Sequence, residues 1–142
     1  MMSDTEDRKA FNQAVIDEFR ANDGKVTGRF AGAPLLLLTT TGAKTGQQRT
    51  SPVVYTTDGD RLVIIASYAG APTNPAWFRN LVANPEVTVE VPGETYAARA
   101  VVAGGDYRDQ LYAAQAAQMP AFADYQAKTT RQIPVVTLER IN

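Results

Sequence analysis

Two tight-turn signals constrain the fold of this chain more than any other feature. Asp58-Gly59 separates the β-rich runs Thr50–Thr57 and Arg61–Ser67, and Pro92-Gly93 separates Glu86–Val91 from Glu94–Val102. Glycine supplies the positive φ that a two-residue hairpin loop requires, and Pro-Gly suits the central positions of a type II turn. In the first arm of the second hairpin Val87, Val89 and Val91 alternate with Glu86, Thr88 and Glu90, which predicts one dry and one wet face. Pro34–Thr40 is a short, continuous apolar run and reads as a buried strand, and Val135–Leu138 reads as a closing strand. Six strands dominated by hairpins predict a mainly antiparallel sheet closed into a small barrel, an α+β fold with helices around it.

The helices follow from spacing and stop signals. Thr5–Asn22 carries a Ser3/Glu6 capping box and an apolar stripe of Phe11, Ala14, Val15 and Phe19, and ends at Asn22-Asp23-Gly24. Packing of this stripe on the domain is preferred over a membrane-surface role, because its polar face is not enriched in Lys or Arg. Pro72–Asn84 reads as a helix capped by Asn74, with Pro75 at its first position. Asp106 is the expected cap of a helix running to about Gln118, and Ala121–Lys128 follows Pro120. A length of 142 residues suits a single domain, with the N-terminal helix over 1–24 and the barrel over 34–142.

Composition narrows the chemistry. The chain has no cysteine and no histidine, which removes thiolate nucleophiles, disulfides, Ser-His-Asp triads and the commonest metal ligands. No acidic cluster suggests a carboxylate metal site, so no metal is expected. With 14 basic and 15 acidic residues there is no global electrostatic case for nucleic acid. The polar start, Met1–Lys9, has no apolar run behind it, and the apolar run Pro34–Leu38 is far too short to span a bilayer. A cytoplasmic protein without membrane attachment is expected. An enzyme of this composition would rely on an organic cofactor.

Three segments are candidates for binding one. Thr39–Arg49 packs hydroxyls, Gly42, Gly46, Lys44 and Arg49 between two strands. It is either an anion cradle, with backbone N–H groups turned into one concavity, or a plain β-connection with solvated charges. It is not a P-loop, since Ala43 precedes Lys44 where a glycine is required, and no G-x-G-x-x-G follows a strand. Ala66–Trp77 leads from a strand into a helix N-terminus. There Trp77 either covers an aromatic ligand or packs in the core. In Met119–Gln126, Phe122 and Tyr125 lie one helical turn apart and either wall a planar substrate or plug the barrel.

In Leu35–Arg49 (LLLLTTTGAKTGQQR), Ala66–Leu81 (ASYAGAPTNPAWFRNL), Ala83–Val89 (ANPEVTV) and Asp124–Val136 (DYQAKTTRQIPVV) the chain resembles the deazaflavin-dependent nitroreductase family, the coenzyme F420-dependent split β-barrel reductases of actinobacteria. The resemblance covers nearly everything after about residue 24. It implies a homodimeric six-stranded split barrel that binds coenzyme F420, with FMN the less favoured cofactor. It also implies hydride transfer from the deazaflavin C5 to an electron-poor small molecule: a quinone, or the activated C=C of enones and lactones such as furanocoumarins. On the family pattern Ala43, Lys44, Thr45 and Gly46 meet the phosphate-bearing tail, and Arg49, Thr50 and Ser51 add donors. Pro52, Val53 and Val54 run along the ring. Ile65, Ala66, Ser67 and Tyr68 line the other wall, and Ala76, Trp77, Phe78, Arg79 and Asn80 close the site. Met119, Phe122 and Tyr125 face the substrate, with Tyr125, Tyr68 or water as proton donor. Family members commonly carry Lys where Tyr68 stands, which leaves more of the anion's charge to Lys44 and Arg49. An FMN- or haem-binding split barrel and a non-catalytic F420 carrier are the alternative readings.

Overall fold

A computed structural model describes residues 4–141, with side chains described from residue 9 onward except those of Arg29 and Ala69. The chain runs α1 (Asp4–Ala21), β1 (Leu35–Thr41), β2 (Gln48–Asp58), β3 (Arg61–Ile65), α2 (Ala76–Ala83), β4 (Glu86–Val91), β5 (Glu94–Val102), α3 (Gly105–Gln118), α4 (Ala121–Lys128) and β6 (Val135–Arg140). Short 3-10 turns fall at Gly28–Phe30 and Tyr68–Gly70. The strands close in the order β1-β2-β3-β6-β5-β4, and every pairing is antiparallel. The fold is a closed six-stranded barrel with four α-helices among the described residues.

Both hairpins form where the turn signals place them. Gly59 sits at φ 61° in the first position of its two-residue loop, the type II′ pattern, and Gly93 at φ 79° in the second position, the type II pattern. The unbroken apolar run of β1 has a simple cause: it is buried on both faces. Leu36 and Leu38 point into the barrel with Val53, Ile64, Val89 and Val136. Leu35 and Leu37 point outward under Val15, Ile16 and Phe19 of α1. β3 and β6 do the same, with Val63, Ile65 and Val135 outward beneath Leu111 and Tyr112 of α3. Leu81, 1% exposed, draws α2 against the barrel interior, with Trp77 and Phe78 of the same face packed beside it.

Several local expectations shift. The buried stripe of α1 is Val15, Ile16 and Phe19, whereas Phe11 is 41% exposed and Ala14 is also exposed. Ser3 of the expected capping box lies outside the described residues. Helix α2 starts four residues later than Pro72, and its N-cap is Pro75, with no side-chain cap. Asn74 is engaged elsewhere: its carbonyl accepts from Arg79 Nη1 at 2.7 Å and its Oδ1 from Arg131 Nη1 at 2.8 Å. Gly104 takes the N-cap position of α3, and Asp106 sits in the first turn, where its charge still suits the helix dipole.

Candidate functional site

The β1–β2 loop (residues 42–47) is drawn tight by its own backbone. Gly42 N–H donates to Gln47 O at 2.7 Å and Gly46 N–H to Gly42 O at 3.0 Å. A Cβ on Gly42 would meet Thr45 Oγ1 at 2.7 Å and Gln47 O at 3.2 Å, so a side chain there would crowd the loop. Asn80 of α2 pins the loop from outside: its Oδ1 accepts from Ala43 N–H at 3.1 Å while its Nδ2 donates to Thr40 Oγ1 at 3.1 Å. Gln47 N–H donates to Thr45 Oγ1. The expected row of inward-turned amides is therefore thinner than composition suggested. The amides of Gly42, Ala43, Gly46 and Gln47 are used internally, leaving those of Lys44 and Thr45 as the loop's remaining donors among the described residues.

The charge is better preserved than the amides. Lys44 and Arg49 are both exposed, and neither pairs with a carboxylate among the described residues. Arg49 donates to Gln47 Oε1 at 3.0 Å, a neutral acceptor. Two cations without counterions beside a glycine-built turn fit a phosphate-bearing ligand.

Strand β2 continues from this loop with an unusual feature. Gln48–Val54 is paired to β1, and Tyr55–Asp58 to β3. Among the described residues the first half of β2 thus has a strand partner on one edge only, leaving an open edge in the barrel wall. Pro52, which has no N–H to give, is tolerated on such an edge. Thr50 is held by a 2.7 Å hydrogen bond between its Oγ1 and that of Thr39. Val53 faces the barrel interior and Val54 packs toward α1.

The segment after β3 carries the next expected residues. Ala66 and Ser67 are buried, and Ile65 packs in the cluster under α3. Tyr68 has φ 49°, a left-handed conformation rare for a residue with a side chain. Trp77 and Phe78 are half-buried on the barrel core, and Ala76 and Arg79 are exposed.

The third segment does not plug the barrel. Phe122 and Tyr125, with centroids 5.3 Å apart in an edge-to-face pair, pack outside it against Val63, Ile65, Leu111, Tyr112, Ile133 and Val135. Tyr112 Oη donates a short hydrogen bond to Phe122 O and anchors α4; burial pushes its phenol pKa up. Met119 accepts a contact from Gln115 Nε2 at 3.2 Å. The second and third segments meet: a Cβ on Gly70 would lie 2.9 Å from Tyr125 O. The sequence reading missed Arg131, which donates four hydrogen bonds into the second segment. Its acceptors are mostly backbone carbonyls far away in the chain, which no local pattern reveals.

A separate cleft opens between α1 and the β4–β5 turn, lined by Phe19, Arg20, Glu90 and Pro92. It contains none of the expected site residues, and Arg20 and Glu90 already neutralise each other there at 3.1 Å. The glycine loop, the open half of β2 and the Ala66–Asn80 stretch are the stronger candidate.

Residues 12–140 match the model of the F420H(2)-dependent quinone reductase family. The chain is 39% identical over 126 residues to an F420H(2)-dependent quinone reductase of Mycobacterium tuberculosis (strain H37Rv), a match covering 86% of this chain and 85% of that one. Among solved structures it resembles an F420-H2 dependent reductase, at 34% identity and a TM-score of 0.69, over 75% of this chain and 94% of that one. It also resembles a protein solved as a domain-swapped dimer, at 32% identity and a TM-score of 0.70, over 96% and 100%. The chain belongs to the F420H(2)-dependent quinone reductase family and is an F420-dependent oxidoreductase with coenzyme F420 as its cofactor.

Proposed function

We propose that this single-domain protein reduces quinones, and similarly electron-poor enones and lactones of the furanocoumarin type, at the split in its barrel. The observation that carries the reading is the open half-edge of β2, with Lys44 in the loop before it and Arg49 at its start, neither paired with a carboxylate among the described residues. Lys44 and Arg49, helped by Thr45, Gly46, Thr50 and Ser51, hold the anionic tail of the cofactor. The backbone of Pro52–Val54 offers polar groups to the ring edge, and Ala66–Tyr68 form the facing wall. Trp77 and Phe78 exclude water from the barrel side, while Arg79 and Asn80 close the site above the loop.

When bound, the reduced deazaflavin supplies the hydride. The residues need only hold substrate and cofactor at near-attack distance, which can lower a barrier by roughly 7–11 kcal/mol. With no histidine in the chain, the Tyr125 or Tyr68 hydroxyl, or water, delivers the proton. Met119, Phe122 and Tyr125 present the apolar and aromatic surface that a planar substrate requires. We also read the protein as a homodimer, supported by the neighbour solved as a domain-swapped dimer.

Titration of the purified protein with F420, FMN and haem tests the site. F420 should bind tightly and the other two weakly. Arg49→Ala should weaken F420 binding by about 1.5–3 kcal/mol, the range for a hydrogen bond to a charged group. Preference for FMN or haem would overturn the reading, and an unchanged dissociation constant in the variant would remove Arg49 from the site.

A further inference from the structure

Arg131 lies in the stretch between α4 and β6, partly buried. Its Nε donates to Ala71 O at 2.9 Å and its Nη2 to Ser67 O at 2.7 Å. Its Nη1 donates to Ala66 O at 3.2 Å and to Asn74 Oδ1 at 2.8 Å. Four of the five N–H groups of one guanidinium thus gather four acceptors from a nine-residue stretch, 66–74. None of the four acceptors is a carboxylate, and among the described residues no ion pair offsets the charge.

The arginine is itself held from behind. Gln126 Nε2 of α4 donates to Arg131 O at 2.8 Å, and Gln126 Oε1 accepts from Arg108 Nη2 at 2.8 Å and from Ile133 N–H at 3.0 Å. The clamp therefore runs from α3 through α4 to the 66–74 stretch.

What it grips is the least relaxed backbone near the site. Tyr68 at φ 49° and Gly70 at φ 79° fall between the clamped carbonyls of Ser67 and Ala71. The turn packs closely against α4 at Gly70, where an added Cβ would lie 2.9 Å from Tyr125 O.

We propose that Arg131 is a positioning residue for the reaction: its planar fork locks Ala66–Asn74 so that Tyr68 is held in its left-handed conformation as one wall of the cofactor and substrate site. This rests on the functional reading above, in which Ala66–Tyr68 form that wall. The feature that matters is the fork. A lysine keeps the charge but cannot reach four acceptors spread over this stretch.

The test uses the full-length protein and the variants Arg131→Lys, Arg131→Met and Asn74→Ala. Amide exchange of the 66–74 peptide is measured without cofactor. Affinity for F420, kcat and KM for a soluble benzoquinone, and thermal midpoints are then measured. Arg131→Lys should speed exchange in 66–74 and lower kcat/KM by about 10- to 100-fold, the scale of a site displaced by about an ångström. Arg131→Met should match or exceed it, and Asn74→Ala, which removes one acceptor of four, should fall between it and wild type. If Arg131→Met does not fold, the lysine and Asn74 variants carry the same comparison. A lowered midpoint with wild-type kcat, KM and F420 affinity would reduce Arg131 to a purely structural role and overturn the proposal. So would full rescue by lysine. A wild-type protein that fails to bind F420 would overturn the functional reading and the proposal together, whereas normal wild-type binding with unchanged variants overturns the proposal alone.

Discussion

Replacing Asn80 with alanine separates loop order from barrel stability. Asn80 makes two neutral hydrogen bonds, one to Ala43 N–H and one to the hydroxyl of Thr40, each 3.1 Å long. Such bonds contribute about 0.5–1.5 kcal/mol apiece. Water can replace the first, since Ala43 is exposed, but not readily the second, because Thr40 is 1% exposed. The expected loss is then about 1–2 kcal/mol, or a fall of roughly 3–8 °C in the melting midpoint for a chain of this size. The cofactor must also reorder the loosened loop. Fixing one residue's backbone costs about 1 kcal/mol, so the F420 dissociation constant should rise by roughly fivefold. Asn80→Asp keeps the acceptor for Ala43, loses the donor to Thr40 and adds a negative charge beside Lys44, so it should bind F420 more weakly than Asn80→Ala. Thermal denaturation and an F420 titration read both effects. A wild-type midpoint and affinity in Asn80→Ala would refute the idea that α2 orders this loop. Wild-type affinity in Asn80→Asp would take the loop out of the anion site.

Two other outcomes are expected. Tyr125→Phe should lower quinone turnover less than about tenfold, well short of the 10²–10⁴-fold typical of an essential acid, and should leave F420 affinity intact; loss of binding in a steady-state and titration assay would move Tyr125 to the cofactor side. Glu18 accepts hydrogen bonds from both the N–H and the hydroxyl of Thr27, each 2.8 Å, and the backbone bond, followed by the hydroxyl bond, lowers its carboxyl pKa below 4.5. A lowered folded-state pKa means this contribution to stability is full above about pH 4.5 and is lost as pH falls through the folded value. Acid melts of Glu18→Gln should therefore lose less stability than wild type across that window, and parallel curves would contradict the assignment.

Much of this architecture is written locally. The turns at Gly59 and Gly93 need glycine at positive φ, so the hairpins are visible in the chain itself. The apolar run of β1 is visible too, because both of its faces are covered, by the barrel interior and by α1. The glycine loop was legible as a tight, cation-bearing turn, but its amide count was not: whether Ala43 N–H is free depends on Asn80, 37 residues away. The α2 cap was misassigned for a similar reason. Asn74 has the right chemistry for a cap, but Arg131, 57 residues downstream, takes its side-chain oxygen. The aromatic pair Phe122–Tyr125 has helical spacing, but which surface it meets is set by how α3 and α4 pack over β3 and β6.

The central claim is tested most directly by mixing the protein, loaded with reduced F420 under anaerobic conditions, with a soluble benzoquinone and following the deazaflavin absorbance through one turnover. Reoxidation that is rapid, saturates with quinone, yields one hydroquinone per cofactor and slows in Arg49→Ala at subsaturating F420 is the predicted result. Reoxidation no faster than that of free reduced F420 with the same quinone would contradict it.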